Sequence, residues 1–467
     1  MADQPQVELA QSLQPRHVTL ISLGGIIGAG LFVGSSAAIN IAGPAVLISY
    51  TLSGVLVFLI MQMLGEMAVA RPGMGTFAEY AALGLGGWAR FVIGWLYWYF
   101  WIIVIGVETI AGAKLLQHWV AAPVWQIGLV LIAAMTASNL LSVRSYGEFE
   151  FWFASLKVGA IVAFIGVGLT YIVAFGPGPA QAAQQLIAHG GFFPRGIGAA
   201  LAAVPVVIFS MMGSEVATIA AAETTEPARN VTRAARTVSL RILIFYVASV
   251  AIIVSVVPWD SVVPGDSPFI PVLQTIGIPG ADHVMTVIAA TAVLSCLNSG
   301  LYVASRMLHE LARRGDAPAL FAVTSAQRVP RLGILFGTAA GFAAALASIL
   351  SPNGVFLFLI NTSGAIILFI YMLVALGQIR FRQRLQRQGE RLSFKVWLFP
   401  WLSYAVIAGI VAVLVLMAFT PDMMIQLGLS GLSAAVVAVA LVIRRAVGKR
   451  VAGASVPPGG AASSASQ

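Results

Sequence analysis

GGIIGAGLFVG, residues 24–34, sets five glycines among eleven positions of an apolar run that otherwise reads as a membrane helix. Glycine in a helix interior costs roughly 1 kcal/mol relative to alanine, so its repeated use there needs a reason. Two are open on the stretch alone. Small residues four apart let membrane helices approach closely, and Gly24/Gly28 and Gly30/Gly34 have that spacing. Alternatively the helix is interrupted, and its unwound centre offers backbone N–H and C=O groups to a polar ligand. Such an interruption is tolerated at membrane depth only where it lines a cavity.

The surroundings of this stretch set the class. Of 467 residues, 59% are hydrophobic and 9% charged, against about 25% charged in soluble domains. One helical span needs about 20 apolar residues, and such stretches follow one another almost without pause from Val18 to Ile443. The chain reads as an all-α polytopic membrane protein with no room for a sizeable soluble domain. Residues 1–17 are polar, lack a small-residue cleavage site and read as a cytoplasmic N-terminal segment. Residues 18–443 read as the transmembrane domain, and 444–467 as a cytoplasmic tail expected to be disordered, charge-free from Ala452 onward.

Gly43-Pro44 divides the first long uncharged stretch. The spans then fall at about 18–42, 44–69, 88–117, 123–143, 149–175, 197–224, 239–257, 283–307, 332–350, 353–377, 396–419 and 423–443. The charges support twelve. With both termini cytoplasmic, 23 of the 26 Lys and Arg residues lie in cytoplasmic loops or ends; the exceptions are Lys114, Lys157 and Arg195. The net charge of +9 is therefore a topology signal. Runs such as RFRQRLQRQGER, 380–391, suit contact with anionic lipid headgroups rather than nucleic acid.

A second interruption matches the first. In FSMMGSEVATIAAAE, 209–223, Gly213 and Ser214 break an apolar run and Glu215 follows at mid-bilayer depth, where a carboxylate is expensive and faces a cavity or a partner. Breaks in the first and sixth of twelve spans are what an inverted five-plus-five repeat produces, with a substrate site between them. Free N–H groups near Gly30 and Glu215 suit a carboxylate and freed carbonyls suit an ammonium, so a zwitterion satisfies both. Lys157 lies about 15 Å deep, counting 1.5 Å per residue from Gly147. A lysine at that depth suits proton coupling; snorkelling to the interface is the alternative. Glu108, after the aromatic run WLYWYFW at 95–101, is a third intramembrane charge able to attract an amine. Its i,i+6 offset from Lys114 disfavours a local pair.

Other chemistries lack their residues. The five histidines have no metal-ligand spacing. No Walker motif is present, and GAGLFVG follows no strand. No nucleophilic triad is evident, so neither an enzyme nor a cofactor is expected. The single cysteine, Cys296, excludes an intrachain disulfide and reads as a small packed side chain.

The stretches GGIIGAGLFVGS, GEMAVARPGMGTFAEYA, IGWLYWYFW, SNLLSVRSYGEFEFWFASLKV, FSMMGSEVATIAAAETTEPARN, SCLNSGLYVASRML and RRGDAPA resemble the amino acid transporter family of the amino acid-polyamine-organocation superfamily, and within it the bacterial GABA permeases. The similarity runs from about residue 15 to 445, in family order and spacing. It implies a leucine-transporter-type fold of two inverted five-helix repeats plus two helices. It also implies alternating access and proton symport of an amino acid into the cell across the bacterial inner membrane. By that similarity Ile27, Gly28, Ala29 and Gly30 bind the substrate carboxylate, and Phe209, Ser210, Met211 and Gly213 carry the contacts to its amine. Lys157 stands where sodium-coupled relatives hold a cation, and Glu108 and Glu215 are site or coupling carboxylates. Many members have a Ser or Thr in the first-helix loop; Ala29-Gly30 has no hydroxyl, which leaves backbone N–H groups for the carboxylate. GABA is the leading substrate, with aromatic, small neutral or cationic amino acids as alternatives and amino acid exchange as the alternative mode. No obligate protein partner is indicated.

Overall fold

Apolar runs become helices here, and the residues that end them are readable in the chain. The structure is a computed structural model and describes residues 27–72, 74, 76–141, 144–176, 178–213, 229–230, 233, 242–325 and 329–454. Gly24, Gly25, the segment 1–17, Ser214, Glu215 and Glu223 lie outside the described residues, as does the tail from 455.

The first described span opens with Ile27 and Gly28 in non-helical backbone, Gly28 having φ −140° and ψ −148°. Helix α1 (Ala29–Phe32) follows, then a kink at Val33 and α2 (Gly34–Ala42). Gly43-Pro44 turns the chain into α3 (Val46–Ala70), at the position expected for the division. The next helices are α4 (Phe77–Leu85), α5 (Gly87–Leu116), α6 (Val124–Leu141), α7 (Arg144–Thr170, continued by a wide turn over Tyr171–Phe175) and α8 (Gly178–Ala188). The sixth predicted span is broken twice: α9 (Ile197–Ala202) and α10 (Val204–Ser210) are offset at Ala203 ahead of Pro205, and Met211–Gly213 form turns. The rest comprises a wide-turned helix Ile242–Ala248 leading into α11 (Ser249–Val256), then α12 (Phe269–Ile276), α13 (Ala281–Arg313), α14 (Arg331–Ala347), α15 (Pro352–Arg387), α16 (Trp401–Phe419) and α17 (Pro421–Ala454).

Local chemistry accounts for the ends. Ser351 sits in extended backbone and its Oγ accepts from Gly354 N–H at 3.1 Å, while Pro352 occupies the first helical position of α15; cap and proline together satisfy or remove otherwise orphaned donors. Helix α12 stops at Gly277, whose φ of 79° is left-handed. Five helices extend or add to the sequence expectation. The arginine run after 380 continues α15 to Arg387, and α17 runs to Ala454 through a stretch expected to be unstructured, because Arg, Lys and Ala are good helix formers. Short α4, α8 and α12 lie outside the predicted spans.

Helix α5 is the centre of the bundle, packed by α13, α14 and α15; 78% of its apolar window is buried, against 11% for Met423–Arg444 in α17. Exposed Val411, Val415 and Phe419 on α16 and Leu432, Val436 and Val439 on α17 form an apolar outer face, as helices facing lipid require. Among the described residues, seven helical stretches are long and apolar enough to cross a membrane, the first being Gly34–Ala70 with its internal break, and four shorter apolar helices accompany them. Helices α10 and α15 touch backbone to backbone: a Cβ on Gly364 would fall 2.2 Å from Pro205 O.

Candidate functional site

Both predicted interruptions meet in the core. Gly28 and Gly30 from the first, and Phe209, Ser210 and Met212 from the second, share one cavity with Glu108 and Cys296; Phe100, Trp101 and Val104 of α5 close it. Its volume is about 20 Å³, little more than one water probe at roughly 10–15 Å³, so the walls must part to admit an amino acid.

The closeness depends on glycine. A Cβ on Gly30 would lie 2.6 Å from Ser210 Cα, and one on Gly28 would lie 2.7 Å from Cys296 Cβ and 2.8 Å from Glu108 Oε1. Gly213 has φ 100°, a backbone conformation that favours glycine. The glycines at 28 and 30 thus serve both roles: backbone leaves the helix at Gly28, and small size lets the two breaks touch.

Glu108, 1% exposed, lies on α5 opposite the first break. Ala29 N–H donates to its Oε1 and Oε2, both at 3.1 Å. On the other side, Tyr246 donates its hydroxyl hydrogen to Ser210 O at 2.6 Å, which satisfies a carbonyl at the sixth-span break. Tyr371 donates to Met212 Sδ at 3.2 Å. Aromatic rings frame the space: Phe100 and Phe209 have centroids 6.1 Å apart, and Phe100 and Trp101 5.7 Å in an edge contact.

Lys157 is fully buried and donates to Ser295 Oγ at 2.8 Å. It does not line the cavity itself; Ser295 joins it to Cys296, which does. Ile27 and Met211 are buried beside the cavity without lining it, and Glu215 lies outside the described residues. Cys296 departs from the expectation of plain packing, since its side chain faces Gly28 and Glu108. Sequence reasoning also passed over Trp101, Met212 and Tyr246. The aromatic run did signal Trp101, whereas Tyr246 and Cys296 sit in apolar stretches with nothing local to mark them.

Ionic contacts lie at the two ends of the bundle. Lys114 Nζ meets Asp266 Oδ1 at 2.6 Å and donates to Gly265 O at 2.8 Å and Asn353 Oδ1 at 2.5 Å, joining α5, the loop before α12 and α15. Lys114 therefore reaches away from Glu108, as the i,i+6 spacing suggested. At the arginine-rich end, Arg314 pairs with Glu79 and with Glu310 at 2.7 Å, and Asp316 with Arg444 and, at 4.0 Å, Arg90. Glu66, fully buried on α3, accepts from Gln378 Nε2 at 2.8 Å, Arg382 Nη1 at 2.9 Å and Val396 N–H at 2.6 Å. No cluster of three metal-ligating side chains occurs among the described residues.

The family described as amino acid permease matches residues 17–451. A gamma-aminobutyric acid permease of Bacillus subtilis (strain 168) is 47% identical over 446 residues, 95% of each chain. That of Escherichia coli (strain K12) is 45% identical over 432 residues, 91% of this chain and 92% of its own. An aromatic amino acid transport protein of Corynebacterium glutamicum is 37% identical over 414 residues, 87% of this chain and 89% of its own. A match across nearly the whole chain, over apolar helices in series with two broken segments facing one cavity, makes this multi-pass membrane protein a member of the amino acid permease family.

Proposed function

We propose that the protein is a proton-coupled importer of GABA or a closely related amino acid, working by alternating access in the bacterial inner membrane. Its architecture would be twelve spans built on a leucine-transporter-type inverted repeat, with both termini cytoplasmic as the arginine distribution favours. The observation that carries this is the convergence of two non-helical backbone segments, at Ile27–Gly28 and Met211–Gly213, on one cavity beside a buried carboxylate. Main-chain groups there supply N–H for a carboxylate and C=O for an ammonium without the cost of buried side-chain charge. GABA is favoured over other amino acids by the names of the relatives at 45–47% identity.

Ile27, Gly28, Ala29 and Gly30 are assigned to the substrate carboxylate. Phe209, Ser210, Met211 and Gly213 are assigned to the amine side, with Glu108 and Glu215 as site carboxylates. Lys157, in its buried position, is assigned with Glu215 to proton coupling. The ionic contacts at the two ends of the bundle would open in turn.

Uptake of labelled GABA into proteoliposomes, with and without an inward proton gradient, tests the proposal. Concentrative uptake that requires the gradient is expected. Uptake indifferent to the gradient, or strictly dependent on internal amino acid, would replace symport by exchange. A competition panel of unlabelled amino acids ranks GABA against the aromatic, small neutral and cationic alternatives.

A further inference from the structure

We infer that Glu108 is a tethered competitor: its carboxylate occupies the seat of the substrate's own carboxylate and is displaced each time substrate binds. The inference rests on the assignment of Ala29 N–H to the substrate carboxylate.

The geometry is that of a bound acid. Both Glu108 oxygens accept from the single Ala29 N–H at 3.1 Å. Gly28 brings the main chain so near that an added Cβ would strike Glu108 Oε1. Ala29-Gly30 contributes no hydroxyl that a second carboxylate could use instead. One N–H offers one hydrogen, and Glu108 already holds it with both oxygens. Two carboxylates held together also repel, more strongly in an apolar surround than in water. The substrate's carboxylate therefore takes the N–H only when Glu108 leaves it.

Where Glu108 goes follows from charge. Among the described residues lining the cavity it is the one charged side chain; a displaced Glu108 carboxylate loses the Ala29 N–H and retains the Cys296 thiol and the charge of Lys157, which leaves it one donor short. An ammonium on the same ligand meets that need. A zwitterion replaces what it removes, whereas a plain monocarboxylate does not. Glu108 thus selects against simple carboxylic acids that the backbone alone would accept.

Cys296 is the one cysteine of the chain and lines the same cavity, so its protection from a small methanethiosulfonate reagent reports occupancy. The experiment measures half-protecting concentrations of GABA and of butyrate, which lacks the amine, for the purified full chain and for E108A and E108Q. In E108A butyrate is expected to protect at tenfold or more lower concentration than in the wild type, while GABA is expected to protect less well. E108Q keeps the shape and a neutral acceptor, so butyrate tightening of at least threefold is expected. It decides the matter if E108A does not fold. Butyrate protection unchanged or weaker in both variants, or absent in all three proteins, would overturn the inference. If GABA protects none of the proteins but butyrate tightens as stated, the substrate assignment falls and the tethered carboxylate stands.

Discussion

The hydroxyl of Tyr246 holds the main-chain carbonyl of Ser210 at 2.6 Å, so a side chain from the seventh predicted span satisfies a group freed by the break in the sixth. A buried carbonyl without a donor costs about 1–3 kcal/mol. Tyr246→Phe removes that donor and keeps the ring. The variant is expected to insert normally and to show an apparent KM for uptake about tenfold higher, the equivalent of about 1.4 kcal/mol. Uptake kinetics in proteoliposomes check this, and an unchanged KM would show that the Ser210 carbonyl is not used in substrate binding.

Gly30 separates a binding role from a purely flexible one. Alanine there places a Cβ 2.6 Å from Ser210 Cα, a backbone atom that cannot step aside as a flexible side chain does. Gly30→Ala is expected to abolish uptake while leaving the protein in the membrane, because the two broken segments are forced apart. Membrane fractionation alongside uptake distinguishes this from loss of folding.

Lys157→Ala bears on coupling. If a buried lysine carries the proton, accumulation against a gradient is lost, while counterflow of labelled substrate between equal pools persists. Parallel measurement of concentrative uptake and counterflow checks it; loss of both together would assign Lys157 a structural role through Ser295.

Arg382 is tested by stability instead. It pairs with fully buried Glu66 at 2.9 Å and also donates to Val396 O at 2.7 Å. Removing one partner of a buried ion pair costs about 3–5 kcal/mol because the other charge stays behind. Arg382→Met is expected to lower the melting temperature of the solubilised protein clearly, and adding Glu66→Gln to recover part of the loss. A double variant worse than Arg382→Met alone would mean the two residues do not act as a pair.

Lys114 ties α5 to Asp266 and Asn353 at the end of the bundle opposite the arginine-rich face. If this contact closes the outer side, Lys114→Gln speeds modification of Cys296 by a membrane-impermeant thiol reagent added outside cells by severalfold. No change in rate would remove Lys114 from the gate.

Hydropathy made the helices and their order legible, since water-free surroundings force backbone groups to pair within each segment. The two interruptions were legible too, because Gly28 and Gly213 are residues that tolerate non-helical backbone. The chain ends of α15 and α17 were harder: arginine-rich segments read as loops by charge, yet their helix propensity continues the spans to Arg387 and Ala454.

What the sequence by itself determined, then, is a membrane bundle with glycine breaks in two of its apolar runs and Glu108 within a third. Only the tertiary structure decided which groups face those breaks. Glu108 lies 79 positions from the N–H it holds, and Tyr246 lies 36 positions from the carbonyl it caps. Cys296 reaches the cavity from α13. Such partners are chosen by how helices pack side by side, a property of no single segment. The glycines marked where the backbone would open, and packing placed a carboxylate in the opening.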